Sequence, residues 1–161
     1  AKDCLFRINR DVRFGKNKAP YKTNFGAAIS FKGRKSSYPG YYIHLEPGAS
    51  VVGGGAYLLM PDELKNIRQE IDYNTEEFLK IIRHKSFKAI YGDVRGEALV
   101  NPPKGFDGTN EAIEYIKQKQ WYAMTKMNEE DLLTGEFEKK ILQAFKTLRP
   151  MNVFLQRALT H

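Results

Sequence analysis

Cysteine is almost missing from this chain: Cys4 is the only one in 161 residues. An internal disulfide and a cluster of thiolate metal ligands are thereby excluded, and Cys4 reads as a small buried hydrophobe rather than a reactive thiol. Long apolar runs are missing too. No stretch approaches the ~20 residues that a membrane-spanning helix needs, and the N-terminal AKDCLFRINR has none of the layout of a signal peptide. The expectation is a cytoplasmic protein that does not enter a membrane. Neither nucleotide fingerprint occurs, since GxxxxGKS/T and GxGxxG are both absent. The three histidines, His44, His84 and His161, share no ligand motif, so neither a metal nor a cofactor is expected. Internal repeats and low-complexity linkers are also lacking.

What is present describes a globular chain. Hydrophobic residues make up 42% and charged residues 28%, a balance that suits one domain, residues 1–161, with a real core. The net charge of +7 is confined to one region. Residues 1–50 hold ten Lys and Arg against Asp3, Asp11 and Glu46, a surplus of seven, and the rest of the chain is balanced. Localised charge of this kind suggests a directed electrostatic surface for an anionic partner.

Strand patterns dominate the first part of the chain and helical patterns the second. Leu5–Arg10 alternates as a strand. Phe25–Phe31, the YYIHLEPG segment and Ser50–Leu59 follow, separated by turn residues such as GRKSSYPG, and Trp121–Met127 is a fifth strand. Pro61 opens a helix with Asp62 and Glu63 in its first turn and Leu64, Ile67 and Ile71 as the buried stripe. Asn74 with Glu77 resembles a cap for the next helix, burying Phe78, Leu79 and Ile82. Short helices are predicted at Ser86–Tyr91 and around Ile113 and Ile116. The last begins at Thr134, and Pro150 is expected to end or kink it, leaving Met151–Leu159 as a docked tail. Strands followed by helices, without βαβ alternation, predict an α+β fold: a mainly antiparallel sheet of about five strands with helices on one face.

Several motifs in order carry a resemblance: RINRDVRFGKNKAPYKTNFGA, GRKSSYPGYYIHLEPG, GGGAY, MPDEL, NPPKGFD and LRPMNVFL. Together they resemble a conserved-hypothetical family of bacteria and fungi classed as a domain of unknown function. The resemblance spans nearly the whole chain and implies no activity. It does imply that a helical portion precedes the first basic strand, which here starts within a few residues of Ala1. An apolar patch is accordingly expected on the sheet side near Leu5 and Phe6.

Three groups of residues are candidates for a site. The stretch Arg7–Lys22 interleaves six cations with Ile8, Val12, Phe14 and Tyr21. Arg7, Arg10 and Arg13 offer planar forks for carboxylate or phosphate, whereas Lys16 and Lys22 are point charges. The same residues could instead pair with acids in a structural network or meet another protein. In YYIHLEPG the two-residue period places Tyr42, His44 and Glu46 on one face, so an imidazole stands beside a carboxylate. That pair can move a proton, contribute two metal ligands, or simply hold a polar patch together. Gly53, Gly54 and Gly55 indicate a bulge or a close approach of neighbouring strands, or a backbone nest for an anion.

Three functional readings follow. The leading one is a binder of a phosphate-bearing or other anionic small molecule through Arg7–Lys22, with Gly53–Gly55 contributing. The second is an enzyme acting on a small anionic substrate, with His44 and Glu46 as the proton-transfer pair. The third, a nucleic-acid-binding module, is disfavoured by the balanced charge of the later residues. Oligomeric state is not legible in the sequence.

Overall fold

The computed structural model describes residues 2–10, 13 and 19–160. Its sheet contains β1 (Phe25–Ser30), β2 (Gly40–Leu45), β3 (Val51–Ala56) and β4 (Trp121–Lys126), antiparallel and in the order β1-β2-β3-β4. The helices are α1 (Pro61–Tyr73), α2 (Thr75–Ile82), α3 (Lys85–Tyr91), α4 (Ile113–Ile116), α5 (Glu129–Leu133) and α6 (Glu136–Arg157). A 3-10 turn occupies Lys2–Cys4. The fold is α+β, as the order of sequence patterns predicts.

Directly paired residues in an antiparallel sheet share a face, so the register divides this one into two. Tyr41, Gly54 and Ala123 are in register, as are Ala56 and Trp121, and this face carries the core. Val52, Ala56 and Trp121 are wholly buried against Ile67, Ile71, Phe78, Leu148 and Leu155. Helix α6 packs on β3. Its Phe145 ring lies 4.5 Å from that of Tyr41, and Asn152 donates to the Gly40 carbonyl at 3.0 Å. The other face presents Gly26 and Ala28 of β1, Tyr42 and His44 of β2, Gly53 and Gly55 of β3, and Tyr122, Met124 and Lys126 of β4. Among the described residues no helix packs on this face.

Helices α1 and α2 begin where the sequence signals place them, whereas α5 is not predicted and α6 starts at Glu136 rather than Thr134, after Gly135 in a left-handed conformation. At the start of α1, Glu63 accepts the Met60 N–H at 2.8 Å and also holds the Ser37 hydroxyl, which ties the β1–β2 connection to the helix. Asn74 does not cap α2 with its side chain; it donates back to Glu70 at 3.0 Å. Asn110 instead links two regions, accepting the Ala112 N–H at 2.7 Å while donating to Asp72 at 2.8 Å.

Two expectations are corrected. Leu5–Arg10 does not form a continuous strand but makes isolated bridges, Leu5 with Ala27 and Asn9 with Tyr21. Between those bridges Phe6–Ile8 face the longer run Lys22–Gly26, so the surplus residues cannot pair and the ladder breaks. The sheet therefore has four strands rather than about five. Pro150 lies inside α6, which continues to Arg157. Burial of Met151, Asn152, Phe154 and Leu155 beyond it offsets the helix bond that proline cannot make.

The helical layer stops short of the outer edge of the sheet. Leu5, Phe25 and Ile29, which share the helix-side face at β1, are 55%, 58% and 42% exposed, so the apolar patch expected near Leu5 is present. Phe6 is turned to the opposite face, where its ring meets that of Tyr42 edge-on with centroids 6.3 Å apart. Among the described residues no helix is long and apolar enough to cross a membrane.

Candidate functional site

The uncovered sheet face carries a depression of ≈ 460 Å³. Gly54 and Gly55 are in its floor, and Phe6, Tyr42, Tyr57 and Tyr122 stand around it. Arg34, from the connection between β1 and β2, reaches over the rim. Its guanidinium lies 5.6 Å from the centre of the Phe6 ring and donates to the Leu5 carbonyl. A guanidinium has five N–H donors, so these contacts leave others for a ligand. The rings of Tyr57 and Tyr122 meet edge-on at 5.6 Å.

Backbone geometry explains the glycine floor. Gly54 and Gly55 have φ of 154° and 136°, a region that side chains avoid. A Cβ on Gly54 would stand 2.0 Å from the Gly40 carbonyl oxygen, and one on Gly55 2.1 Å from that of Trp121. Pairing with β4 runs unbroken from Val51 to Ala56, so the run marks a close approach of strands and not a bulge. Because β3 is paired on both sides, its amides are committed to the sheet, and the glycines meet the depression with bare backbone.

Beside the depression runs a chain of polar side chains. The Tyr42 hydroxyl is 3.2 Å from His44 Nδ1, and His44 Nε2 is 2.8 Å from Glu46 Oε2. A carboxylate accepts the Nε2 proton, which leaves Nδ1 of a neutral imidazole to accept from the tyrosine. Burial pushes the Tyr42 hydroxyl's pKa up, so that the residue stays a neutral donor. Glu46 is itself held at the strand end, where Ser50 donates to its carbonyl at 3.0 Å.

The residues singled out in the sequence separate into two groups. Gly54 and Gly55 line the depression, with Tyr42 beside them and His44 and Glu46 leading away from it. Gly53 adjoins them in β3. Arg7, Arg10 and Lys22 do not line it; they are exposed on the edge hairpin whose arms meet at Asn9 and Tyr21. Arg13 is exposed beyond that bridge, and Lys16, Val12 and Phe14 lie outside the described residues. Four contributors escape a reading of the sequence. Arg34 sits in a segment legible only as a turn, and Phe6, Tyr57 and Tyr122 converge through strand register, which no local pattern announces.

A second cavity, of ≈ 560 Å³, opens between α3 and α6, with Phe87, Leu142, Lys146 and Pro150 in its walls. Its one histidine, His84, is occupied in capping α3 through Ser86, and its remaining walls are helix sides and lysine stems. The depression on the sheet, where a cation, four aromatic rings and a hydrogen-bonded triad meet, is the stronger candidate. Among the described residues no three His, Cys, Asp or Glu side chains cluster as metal ligands.

The fold is thus an antiparallel sheet with helices on one face and, on the other, a depression walled by aromatic rings with Arg34 at its rim. The chain belongs to the conserved hypothetical protein family DUF2461, whose model matches residues 1–154. No curated protein and no solved structure matches it.

Proposed function

We propose that the protein binds an anionic ligand carrying a planar or apolar portion on the uncovered face of its sheet. The observation that carries this reading is the ≈ 460 Å³ depression with aromatic walls and the Arg34 guanidinium at its rim. Concave apolar surface supplies affinity and a few placed polar groups supply orientation. The sequence points to Arg7–Lys22 as the anion anchor. In this reading Arg34 takes that role at the depression, and Arg7, Arg10 and Lys22 add attraction from the flank. Phosphorylated metabolites are abundant in the cytoplasm, the compartment the sequence suggests.

Thermal denaturation in the presence of nucleoside monophosphates, sugar phosphates and aromatic carboxylates tests the proposal. A ring-bearing anion at ~100 times its Kd should raise Tm by roughly 5–10 °C, because it binds only the folded state. Arg34→Lys should weaken that ligand about tenfold with charge unchanged, through loss of the planar fork. The proposal fails if no anion shifts Tm.

The Tyr42–His44–Glu46 chain favours a second reading, in which the site moves a proton on the bound anion. Tyr42 is then the group facing the ligand, and His44, oriented by Glu46, exchanges the proton with it. His44→Gln should keep ligand affinity within about twofold and abolish turnover of any substrate found. Turnover that survives this change removes His44 from the chemistry.

A further inference from the structure

Cations stand at both ends of β1, and this distribution bears on the kind of anion the face would take. The connection leaving Ser30 holds Lys32, Arg34 and Lys35, while the hairpin arms before Phe25 hold Arg7, Arg10 and Lys22. Six residues of strand rise roughly 20 Å, which separates Lys32 and Lys35 from Arg10 and Lys22 by more than one phosphate can bridge, while Arg34 reaches back between them to the Leu5 carbonyl. Among the described residues no carboxylate lies within ion-pair distance of these six side chains. In the helices and their connections, by contrast, Arg83, Lys88, Lys117, Lys119, Lys139, Lys140 and Arg157 are each matched to an acid. Seven of the sixteen cations after residue 50 are thus matched to an acid, against none of these six, which all flank the edge strand β1.

Between the two groups of cations lie exposed rings. Tyr57 is 60% and Phe6 42% exposed, with Tyr42 and Tyr122 beside them on the same face. We infer, resting on the ligand reading above, that the ligand of this face is a single-stranded nucleic acid, its backbone following β1 between the two cation groups and its unstacked bases lying on these rings. Single strands are bound in this manner, by a basic track for the phosphates and aromatic platforms for the bases. A duplex keeps its bases stacked inside and cannot offer them to the depression.

Fluorescence anisotropy with a labelled oligothymidylate of about ten nucleotides, compared with thymidine monophosphate, tests this. The oligomer should bind at least about a hundredfold tighter than the monomer. With three or four phosphate contacts, log affinity should fall against log salt with a slope of roughly −2 to −3. Reversing either cation group, by Lys32→Glu with Lys35→Glu or by Arg10→Glu with Lys22→Glu, should weaken the oligomer about tenfold or more. All four side chains are exposed, so folding is not at stake. Tyr57→Ala should weaken it about tenfold through lost stacking. An oligomer no tighter than the monomer overturns the inference, as does sensitivity to only one cation group. Inorganic polyphosphate that competes equally, with Tyr57→Ala without effect, overturns it in favour of a ringless polyanion. Failure of the underlying ligand reading is distinguishable: monomer, oligomer and polyphosphate would all fail to bind.

Discussion

Gly54→Ala should destabilise the protein by about 4 kcal/mol or more, lowering Tm by roughly 8–16 °C. The added methyl would lie 2.0 Å from the Gly40 carbonyl oxygen, 2.9 Å from the Gly40 carbonyl carbon and 2.9 Å from the Tyr41 Cα. All three are backbone atoms of the paired strand, so no side chain can rotate away, and β2 would have to separate from β3. The φ of 154° adds strain of its own. Gly105→Ala is the control. Its φ is 90° but no atom lies within 4 Å of a Cβ there, so it should cost only the ~1–2 kcal/mol of a left-handed alanine. Urea titration separates the two, since a pure stability change moves the midpoint and leaves the slope unchanged. Equal losses at the two positions would mean that the close approach of β2 and β3 is not what requires glycine.

The glycine run shows how far the sequence can be read. Three consecutive glycines in a strand limit the explanations to a bulge, a close approach or an anion nest, and the uninterrupted β3–β4 pairing selects close approach. The alternation of Tyr42, His44 and Glu46 is legible because it depends only on the two-residue period of a strand, and the hydrogen bonds among them follow. The break in Leu5–Arg10 is not legible. It arises from unequal lengths between two bridges, a property of the pair and not of either segment.

The site as a whole is legible only in part, for the same reason. Tyr42 and Tyr122 come together because both lie opposite residues of β3 that are two apart and so share a face: Tyr42 pairs with Gly53 and Tyr122 with Gly55. Nothing near Trp121 in the chain signals this. Charge localisation, by contrast, is legible in the linear sequence itself. The first fifty residues build β1, β2 and their flanks, and among the described residues Arg7, Arg10, Lys22, Lys32, Arg34 and Lys35 lie in the segments on either side of β1.

Pro150→Ala should raise stability by about 1–3 kcal/mol, an increase in Tm of roughly 2–10 °C. Residue 150 lies in the interior of α6, seven residues before its end, where proline supplies no N–H for the carbonyl of Lys146 and crowds the preceding turn. Alanine restores the donor and relieves the contact. Two effects oppose the gain. Proline restricts the unfolded chain, worth up to about 1 kcal/mol, and its ring contributes to the cavity between α3 and α6. The ring is exposed, so little apolar burial is lost, and the helix term should win. The neighbouring residues Met151 and Asn152 are buried, and a straighter helix must keep Asn152 on the Gly40 carbonyl and Phe145 on Tyr41. A fall in Tm would therefore show that α6 depends on a bend at Pro150 to hold both contacts with the sheet. In that case Asn152→Ala, combined with Pro150→Ala, should cost less than it does in the unmodified chain, because the contact it removes would already be impaired.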